Sequence, residues 1–566
     1  MTFSWLRKFF SAAILFCIAA AVTVTAQVAA PPPSADDGDF KAIKNLDLFF
    51  SAFRELKLFY VDDIDAEKVI TDGINGMLSE LDPYTEYMTE EESKKFDVAT
   101  TGEYGGIGSL IRRQGDYTEV SEVYQGFPAD KAGLVSGDLL LAIDDVSLKG
   151  KSVSEASDML KGEKGTTLKI KAVKVKTKDT VELKIAREKI HISGVTYSGI
   201  HANGVGYIRL SSFTQGCSRD FKKAFENLKS SGELKSLVID LRGNGGGLVD
   251  DAIKILSLFV PKGTEVLQAK GRIKEFDKTY KTEEQPLDVS IPIAVLVDQG
   301  SASSSEIVAG AIQDLDRGII IGTQTFGKGL VQAVRPLGYN ARLKITTAKY
   351  YTPSGRCVQA HNFSKRNEDG SVAFIADSLK QEFRTRNGRP VFDGGGITPD
   401  VVDSVESYSN IAASLIIRGL ISDYSVQYYV KHSSVEKPEV FELSDAEYDD
   451  FVSFLSDKEY DYTTRSEALF TQLNAAIKKE KYDDMVTQEL EAMRLKLVHD
   501  KQKDLYTFKA EIKQAIEEEI AVRYYYQAGR IRAILKNDKQ VALAVDYLNA
   551  PEKYQSVLQP LSQSKK

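Results

Sequence analysis

The chain sets Ser301, Ser303, Ser304 and Ser305 within five positions, directly after the apolar run "IPIAVLVD" (291–298). A serine nucleophile needs a base to take its proton. Of the five histidines, His191, His201, His361, His432 and His499, the nearest is His361, 56 residues past Ser305. Lysine can do the same work if it is neutral. Its ordinary pKa near 10.4 must then fall by about three units, roughly 4 kcal/mol of differential stabilisation, which an apolar, water-poor site supplies. Lys328 in "IIIGTQTFGKGLVQ" follows a buried strand and sits between glycines that allow close backbone approach. By residue type alone the serine cluster is also an ordinary helix start, since serine is a favoured N-cap. A lysine between glycines is likewise an ordinary turn residue.

Other chemistries find less support. The histidines are scattered, and there is no HExxH, no paired-cysteine spacing and no EF-hand loop. "RGNGGGLV" (242–249) resembles the GxSGG neighbourhood of trypsin-like serine proteases, but glycine stands where the nucleophile would be. Two readings of this turn remain: glycines supplying positive φ, or N–H groups at a helix N-terminus ready to hold an oxyanion.

The elements that would position these residues follow from periodicity. "LKSLVIDL" predicts a strand, "GNGGG" a turn and "LVDDAIKILSLF" a helix; "IPIAVLVD" then predicts a strand, "SSSEIVAGAIQDL" a helix and "GIIIG" a strand. Such alternation argues an α/β layer structure over 189–403, within a multidomain α/β (α+β) chain. Apolar residues at three- and four-residue steps predict a helical segment over 40–97, stopped once by Asp82-Pro83. Short β-rich runs between glycines predict a compact, mostly β domain over 98–188. Residues 404–566 are charged, tyrosine-rich and helical in pattern, without sustained heptads.

The 566 residues exceed one ordinary domain, and 42% hydrophobic with 27% charged residues is the balance of a globular protein. The net charge of −8 argues against nucleic acid as the main partner. Arg7 and Lys8 precede "FFSAAILFCIAAAVTVTA", which ends in small residues. This pattern predicts a signal peptide over 1–26, a flexible spacer over 27–39, and export to the periplasm or cell envelope, with a retained membrane anchor as the alternative. Phe16 is too large for a lipidation site at Cys17, so Cys217 and Cys357 are left, and their pairing stays open.

"GSASSSEIVAGAIQD", "IGTQTFGKGLVQ", "TTAKYYTPSGR" and "GGGITPD" together resemble the C-terminal processing (tail-specific) peptidases, a family of Ser/Lys serine proteases with a PDZ domain. In that family the nucleophile is the serine of an [ST]-A-S-x-[SA]-E element and the base is the lysine of G-K-G about 25 residues later. The resemblance therefore implies Ser303 as nucleophile, Lys328 as base and Gln332, four residues on, as support for the pair. It implies an oxyanion hole from the Ser304 N–H and a glycine of "LRGNGGG", either Gly246 or Gly247. Ser304 replaces the family's usual alanine, a mild departure because only its N–H is needed. "LDPYTEYM" matches the family's N-terminal segment. "YGGIGSLI" matches its PDZ carboxylate loop, which implies that N–H groups around Gly106, Ile107 and Gly108 bind a substrate tail added as a strand. The implied fold is a crotonase/Clp-like core of strand–turn–helix units beside the PDZ domain.

The resulting expectation is an exported serine endopeptidase that takes proteins or peptides by apolar C-terminal tails, with no metal, nucleotide or organic cofactor. An inactive PDZ-bearing binding scaffold and a crotonase-like acyl-transfer enzyme are the alternatives. Residues 404–566 match no motif. Homo-oligomerisation, substrate holding, adaptor docking and a structural helical cap all remain open for them.

Overall fold

The computed structural model describes residues 37–367, 369, 371–404, 408–497 and 500–560, so the predicted signal peptide and most of the spacer lie outside the described residues. Residues up to Glu80 and residues from Leu81 form two compact units. In the first, α1 (Asp37–Phe59) begins inside the predicted spacer. Helix α2 (Ala66–Leu78) follows, and the Asp65 carboxylate caps it by accepting the Lys68 N–H at 3.1 Å. No helix among the described residues is long and apolar enough to cross a membrane.

The second unit opens with a departure from the predicted helical segment. After Asp82-Pro83 comes a strand, β1 (Glu86–Met88), and only then α3 (Glu90–Thr101). Three residues are too few for alternation to be visible in sequence. The strand is fixed by its partner, with Glu86, Tyr87 and Met88 opposite Lys344, Leu343 and Arg342.

Strand β2 (Glu103–Gly106) leads into the β domain, β3 (Ser109–Gln114), β4 (Tyr117–Val123), β5 (Leu139–Ile143), β6 (Val146–Ser147), α4 (Val153–Leu160), β7 (Thr167–Val173) and β8 (Thr180–Ala186). Its sheet runs β3-β4-β5-β7-β8, with β6 on β5, over a core that includes Ile107, Val120, Leu140, Leu168 and Ile170. Strand β9 (Glu188–His191) leaves the domain paired with β2, so entry and exit share one antiparallel ribbon.

The next layer is the predicted α/β structure. In chain order it contains β10 (Val195–His201), β11 (Val205–Leu210), α5 (Cys217–Ser230), β12 (Ser236–Asp240), α6 (Val249–Ser257), β13 (Glu265–Gly271), β14 (Lys278–Lys281), β15 (Ile293–Val297), α7 (Ser304–Asp314), β16 (Ile319–Gly322), β17 (Leu330–Gly338) and β18 (Ala341–Tyr351). One sheet runs β10-β11-β12-β15-β16 to the short strand Val401–Val402, parallel throughout except at β10. Every residue of β12, β15 and β16 is buried, the pattern of a parallel sheet covered on both faces. Helices α5, α6 and α7 cover one face through Phe221, Phe225, Ile255, Leu256, Ile307 and Val308. A second, antiparallel sheet, β1-β18-β13-β14 with β17 on β18, stands beside it. Cys217 and Cys357 are both free thiols.

The region after 403 is helical as expected: α8 (Asn410–Ile417), α9 (Leu420–Lys431), α10 (Asp445–Phe454), α11 (Arg465–Glu480), α12 (Asp483–Leu497), α13 (Lys501–Thr507), α14 (Lys509–Lys536), α15 (Lys539–Asn549) and α16 (Pro551–Val557). It makes one core of its own around Ile421, Tyr424, Tyr448, Phe451, Ile512 and Ile516. It also closes the second face of the parallel sheet. Ile531, Leu535, Val541, Ala544 and Leu548 pack on Tyr207, Val238, Ala294, Leu296 and Ile321. The inward residues of those strands alternate faces, so without these helices half of each strand's apolar residues would meet water.

Candidate active site

Three turns and a strand of this framework meet in one cleft of about 530 Å³, whose apolar lining includes Phe96, Leu248, Val249, Ile307, Leu330 and Val331. The turn β15–α7 brings Ser303, the turn β12–α6 brings Gly246 and Gly247, the link β16–β17 brings Lys328, and β17 itself brings Gln332.

The serine cluster separates into one half-buried member and three fastened, fully buried ones. Ser301 Oγ donates to Leu241 O, Ser304 Oγ to Gly247 O and Ser305 Oγ to Asn244 O, each at 2.8 Å, and all three residues are fully buried. These hydroxyls, with Ala302 N–H donating to Asn244 O at 3.0 Å, pin the helix start to the glycine turn. Sequence reasoning assigned no work to the Ser304 hydroxyl, and the structure gives it this bond. Ser303 alone faces the cleft. Its backbone lies at φ 54°, ψ −113°, left-handed space that costs a non-glycine residue about 1–3 kcal/mol and that persists only when neighbours enforce it. The enforcement is visible: Ser303 N–H donates to Glu306 Oε2 at 2.9 Å, and Ser303 O accepts from Ile307 N–H at 2.9 Å and Tyr350 OH at 3.2 Å.

Glu306 joins the nucleophile to the lysine loop. Its fully buried carboxylate also accepts Thr325 Oγ1 at 2.6 Å, Gly327 N–H at 2.8 Å and Lys328 N–H at 2.8 Å. Burial pushes this carboxyl upward, and the four donors pull against it. Gly327 has φ 85°, and a β-carbon there would lie 2.4 Å from the Ala360 Cβ, so the loop can take this path only with glycine. The motif's glutamate was legible in sequence, but its role was not, because three of its four donors come from a loop 19 to 22 residues away.

Lys328 is mostly buried in the cleft. Desolvation lowers its amine below the ordinary lysine value, Lys344 adds to this, and Glu86, Asp82 and Glu306 oppose it. No hydrogen bond joins Lys328 Nζ to Ser303 Oγ among the described residues. The ammonium instead stands 4.2 Å from the centroid of the Tyr84 ring. Gln332 Nε2 donates to Thr346 Oγ1 at 3.1 Å, which in turn donates to Asp82 Oδ1 at 3.1 Å.

The two glycines of the predicted oxyanion hole differ. Gly246 N–H already donates to Asn244 Oδ1 at 2.9 Å, and Asn244 is anchored in turn by its Nδ2 on Leu210 O at 2.7 Å. The Gly247 N–H and the Ser304 N–H have no hydrogen-bond partner among the described residues. Gly246 supplies close approach: a β-carbon there would sit 2.8 Å from Ser303 Cβ and 3.0 Å from the Ser304 nitrogen.

In the β domain, Gly106 ends β2, and Ile107 and Gly108 form the link to β3. Their carbonyls are used, Ile107 O by Ala129 N–H at 2.8 Å and Gly108 O by Tyr124 N–H at 3.0 Å. The Ile107 and Gly108 N–H groups have no partner among the described residues. This leaves two adjacent donors beside an exposed face of β3, where Leu110 is 45% accessible.

Comparison with known proteins gives four matching family models: "Peptidase family S41" over residues 204–365, "PDZ domain" over 119–174, "Probable PDZ-protease, C-terminal helical domain" over 411–548, and "Activating protease CtpB N-terminal domain" over 11–92. A carboxy-terminal-processing protease of Bartonella bacilliformis is 39% identical over 319 residues, 56% of this chain and 73% of the relative. A probable CtpA-like serine protease of Staphylococcus epidermidis is 33% identical over 56% of this chain and 63% of its own length. Among solved structures, a photosystem II D1 C-terminal processing protease is 26% identical, covering 63% of this chain and 92% of that one at a TM-score of 0.34.

Proposed function

The chain belongs to the C-terminal processing peptidases, serine-type peptidases with a PDZ domain, and we propose that it is exported and cleaves proteins taken by their apolar C-terminal tails, using Ser303 and Lys328. In this reading neutral Lys328 Nζ accepts the Ser303 Oγ proton as Oγ attacks the scissile carbonyl carbon. The carbonyl oxygen takes up the electron pair and is held by the Ser304 and Gly247 N–H groups, both without a partner among the described residues and so preorganised for it. The lysine ammonium then gives its proton to the leaving amine as the C–N bond breaks, leaving Ser303 as an ester. Water attacks the ester, Lys328 takes the water proton, and its return to Oγ releases the acid product. Because Lys328 Nζ lies over Tyr84 and makes no hydrogen bond to Ser303, the amine must close on Oγ before the first step.

Export rests on the apolar N-terminal run with its basic start. Tail capture rests on the Ile107 and Gly108 N–H groups, which can hold a terminal carboxylate while the tail lies along β3.

The observation that carries the reading is Ser303: it is the one serine of the cluster released from the scaffold, strained, and turned into a cleft that also holds a desolvated lysine. The test is cleavage of a reporter protein with an apolar tail. Ser303→Ala should abolish it, whereas loss in Ser305→Ala with retention in Ser303→Ala would reassign the nucleophile.

A further inference from the structure

The mechanism above leaves one contact without a purpose. "LDPYTEYM" carries no group that reacts, yet its turn touches the base and, through Thr346, reaches the base's supporting amide. Asp82 Oδ1 accepts the N–H groups of Tyr84 at 2.9 Å and Thr85 at 3.0 Å, and Asp82 Oδ2 accepts Thr85 Oγ1 at 3.0 Å. This side-chain-to-backbone closure makes the turn stiff. Pairing of Glu86 with Lys344, and Thr346 N–H donating to Thr85 Oγ1 at 3.2 Å, fasten the turn to β18 beside the cleft.

We propose that the Asp82–Thr85 turn is a positioning element of the active site. The Tyr84 ring parks the Lys328 ammonium away from Ser303, and Asp82 acts through Thr346 to fix the Gln332 amide. This inference rests on the Ser303–Lys328 reading and deepens it.

The first half follows from charge. An aromatic face attracts an ammonium but not a neutral amine. The ring therefore holds Lys328 while it is protonated and lets it go when it becomes the base. The ring also favours the protonated form, opposing the desolvation of the same site. The other charges facing Lys328 are Lys344 of β18, Glu86 of β1, Asp82 of the turn and Glu306 of α7, and none is altered by changing the ring.

The second half follows from proton count. The Thr346 hydroxyl has one proton, and the Asp82 carboxylate can only accept, so that proton goes to Asp82. The hydroxyl can then only accept from Gln332, which fixes Nε2 toward Thr346. The Gln332 carbonyl oxygen is left to accept from the lysine. Asp82 thereby sets the orientation of an amide it does not touch.

The test compares pH profiles of kcat/KM for the full chain, Tyr84→Phe and Tyr84→Leu. Leucine keeps apolar cover and removes the ring face; phenylalanine keeps the face. Tyr84→Phe should hold the acid limb within about 0.2 unit of wild type, and Tyr84→Leu should move it to lower pH by about half a unit to one unit. In a second arm, Thr346→Val and Gln332→Ala should each lower kcat roughly tenfold, with Thr346→Ser restoring it and the double variant no slower than the worse single. An acid limb in Tyr84→Leu that stays or moves upward would overturn the parking role. Multiplying losses in the double variant would overturn the relay. Should Tyr84→Leu fold poorly, Tyr84→Met carries the same expectation. Near wild-type cleavage by Lys328→Ala would defeat the Ser–Lys reading itself; an inactive Lys328→Ala beside an unmoved Tyr84→Leu limb would defeat this inference alone.

Discussion

At the scale of single residues, the site works by giving near-identical side chains different partners. Ser304 differs from Ser303 by one position, yet its hydroxyl is spent on Gly247 O, which fixes the backbone carrying the second proposed oxyanion donor. Ser304→Ala keeps the N–H and loses that bond. It should lower kcat/KM only about three- to tenfold and stability by about 1 kcal/mol, measured by kinetics and thermal melting, against complete loss in Ser303→Ala. Glu306 carries more. Glu306→Gln turns an amide donor toward some of the four donors that the carboxylate now accepts, so a loss of about 2–4 kcal/mol in unfolding free energy and of most activity is expected. On the proposed mechanism Lys328 sets the pH dependence: its amine, lowered by desolvation, becomes the base as pH rises through the lowered value. The rate should therefore climb with pH along an acid limb below the ordinary lysine range. The roles proposed for Ser303 and Lys328 come from motif and spacing. Tyr84, Asp82 and Thr346 were not given roles, because the contacts of Tyr84 with Lys328 and of Asp82 with Thr346 cross more than 200 residues of chain and no periodicity reports them.

At the scale of elements, two turns are built as one object. The serine hydroxyls of the β15–α7 turn bond the carbonyls of the β12–α6 turn, and Gly246 lets the two backbones touch. Gly246→Ala puts a methyl group 2.7 Å from Ala302 O at φ 97°, so it should misplace Ser303 and remove activity. If circular dichroism shows a folded Gly246→Ala protein with wild-type kcat/KM, the two turns are not coupled. The buried strands of the α/β layer were legible as continuous apolar runs, and the turns between them from glycine and serine. Strand β1 was not, since three residues hold no period. The closure of the second sheet face by α14 and α15 was hidden too. Nothing in an amphipathic helix names its partner, and these helices lie more than 200 residues from the strands they cover.

At the scale of the whole second unit, the C-terminal helices tie the peptidase core to the PDZ domain. Arg242 of the glycine turn bonds Asp240 and also Asp538, the residue that caps α15. Helix α14 is interrupted at Tyr526 (φ 57°, ψ −162°), which packs on the PDZ core and donates to Asp130 Oδ1 at 2.9 Å. Arg530 reaches Glu122 of β4 at 3.3 Å, and Arg112 of β3 reaches Asp423 of α9 at 2.6 Å. Glu518, near this junction, has its carboxyl pushed up to about 7 by burial. A carboxyl raised in the folded state stabilises fully only below its unfolded value near 4.3, and that contribution is lost as pH rises through about 7. Glu518→Gln, neutral at every pH, should thus melt like wild type near pH 4 and higher than wild type at pH 8, by about 1–3 kcal/mol. Equal differences at both pH values would contradict this.

The claim on which the rest depends is that Ser303 and Lys328 act as nucleophile and base. Single-turnover cleavage of a reporter with an apolar C-terminal tail, by wild type, Ser303→Ala and Lys328→Ala across pH 5–10, tests it most directly. Both variants should lose about 10³-fold or more on the alkaline plateau, with wild type alone rising to it along an acid limb. Cleavage by Lys328→Ala at close to the wild-type rate would contradict the account.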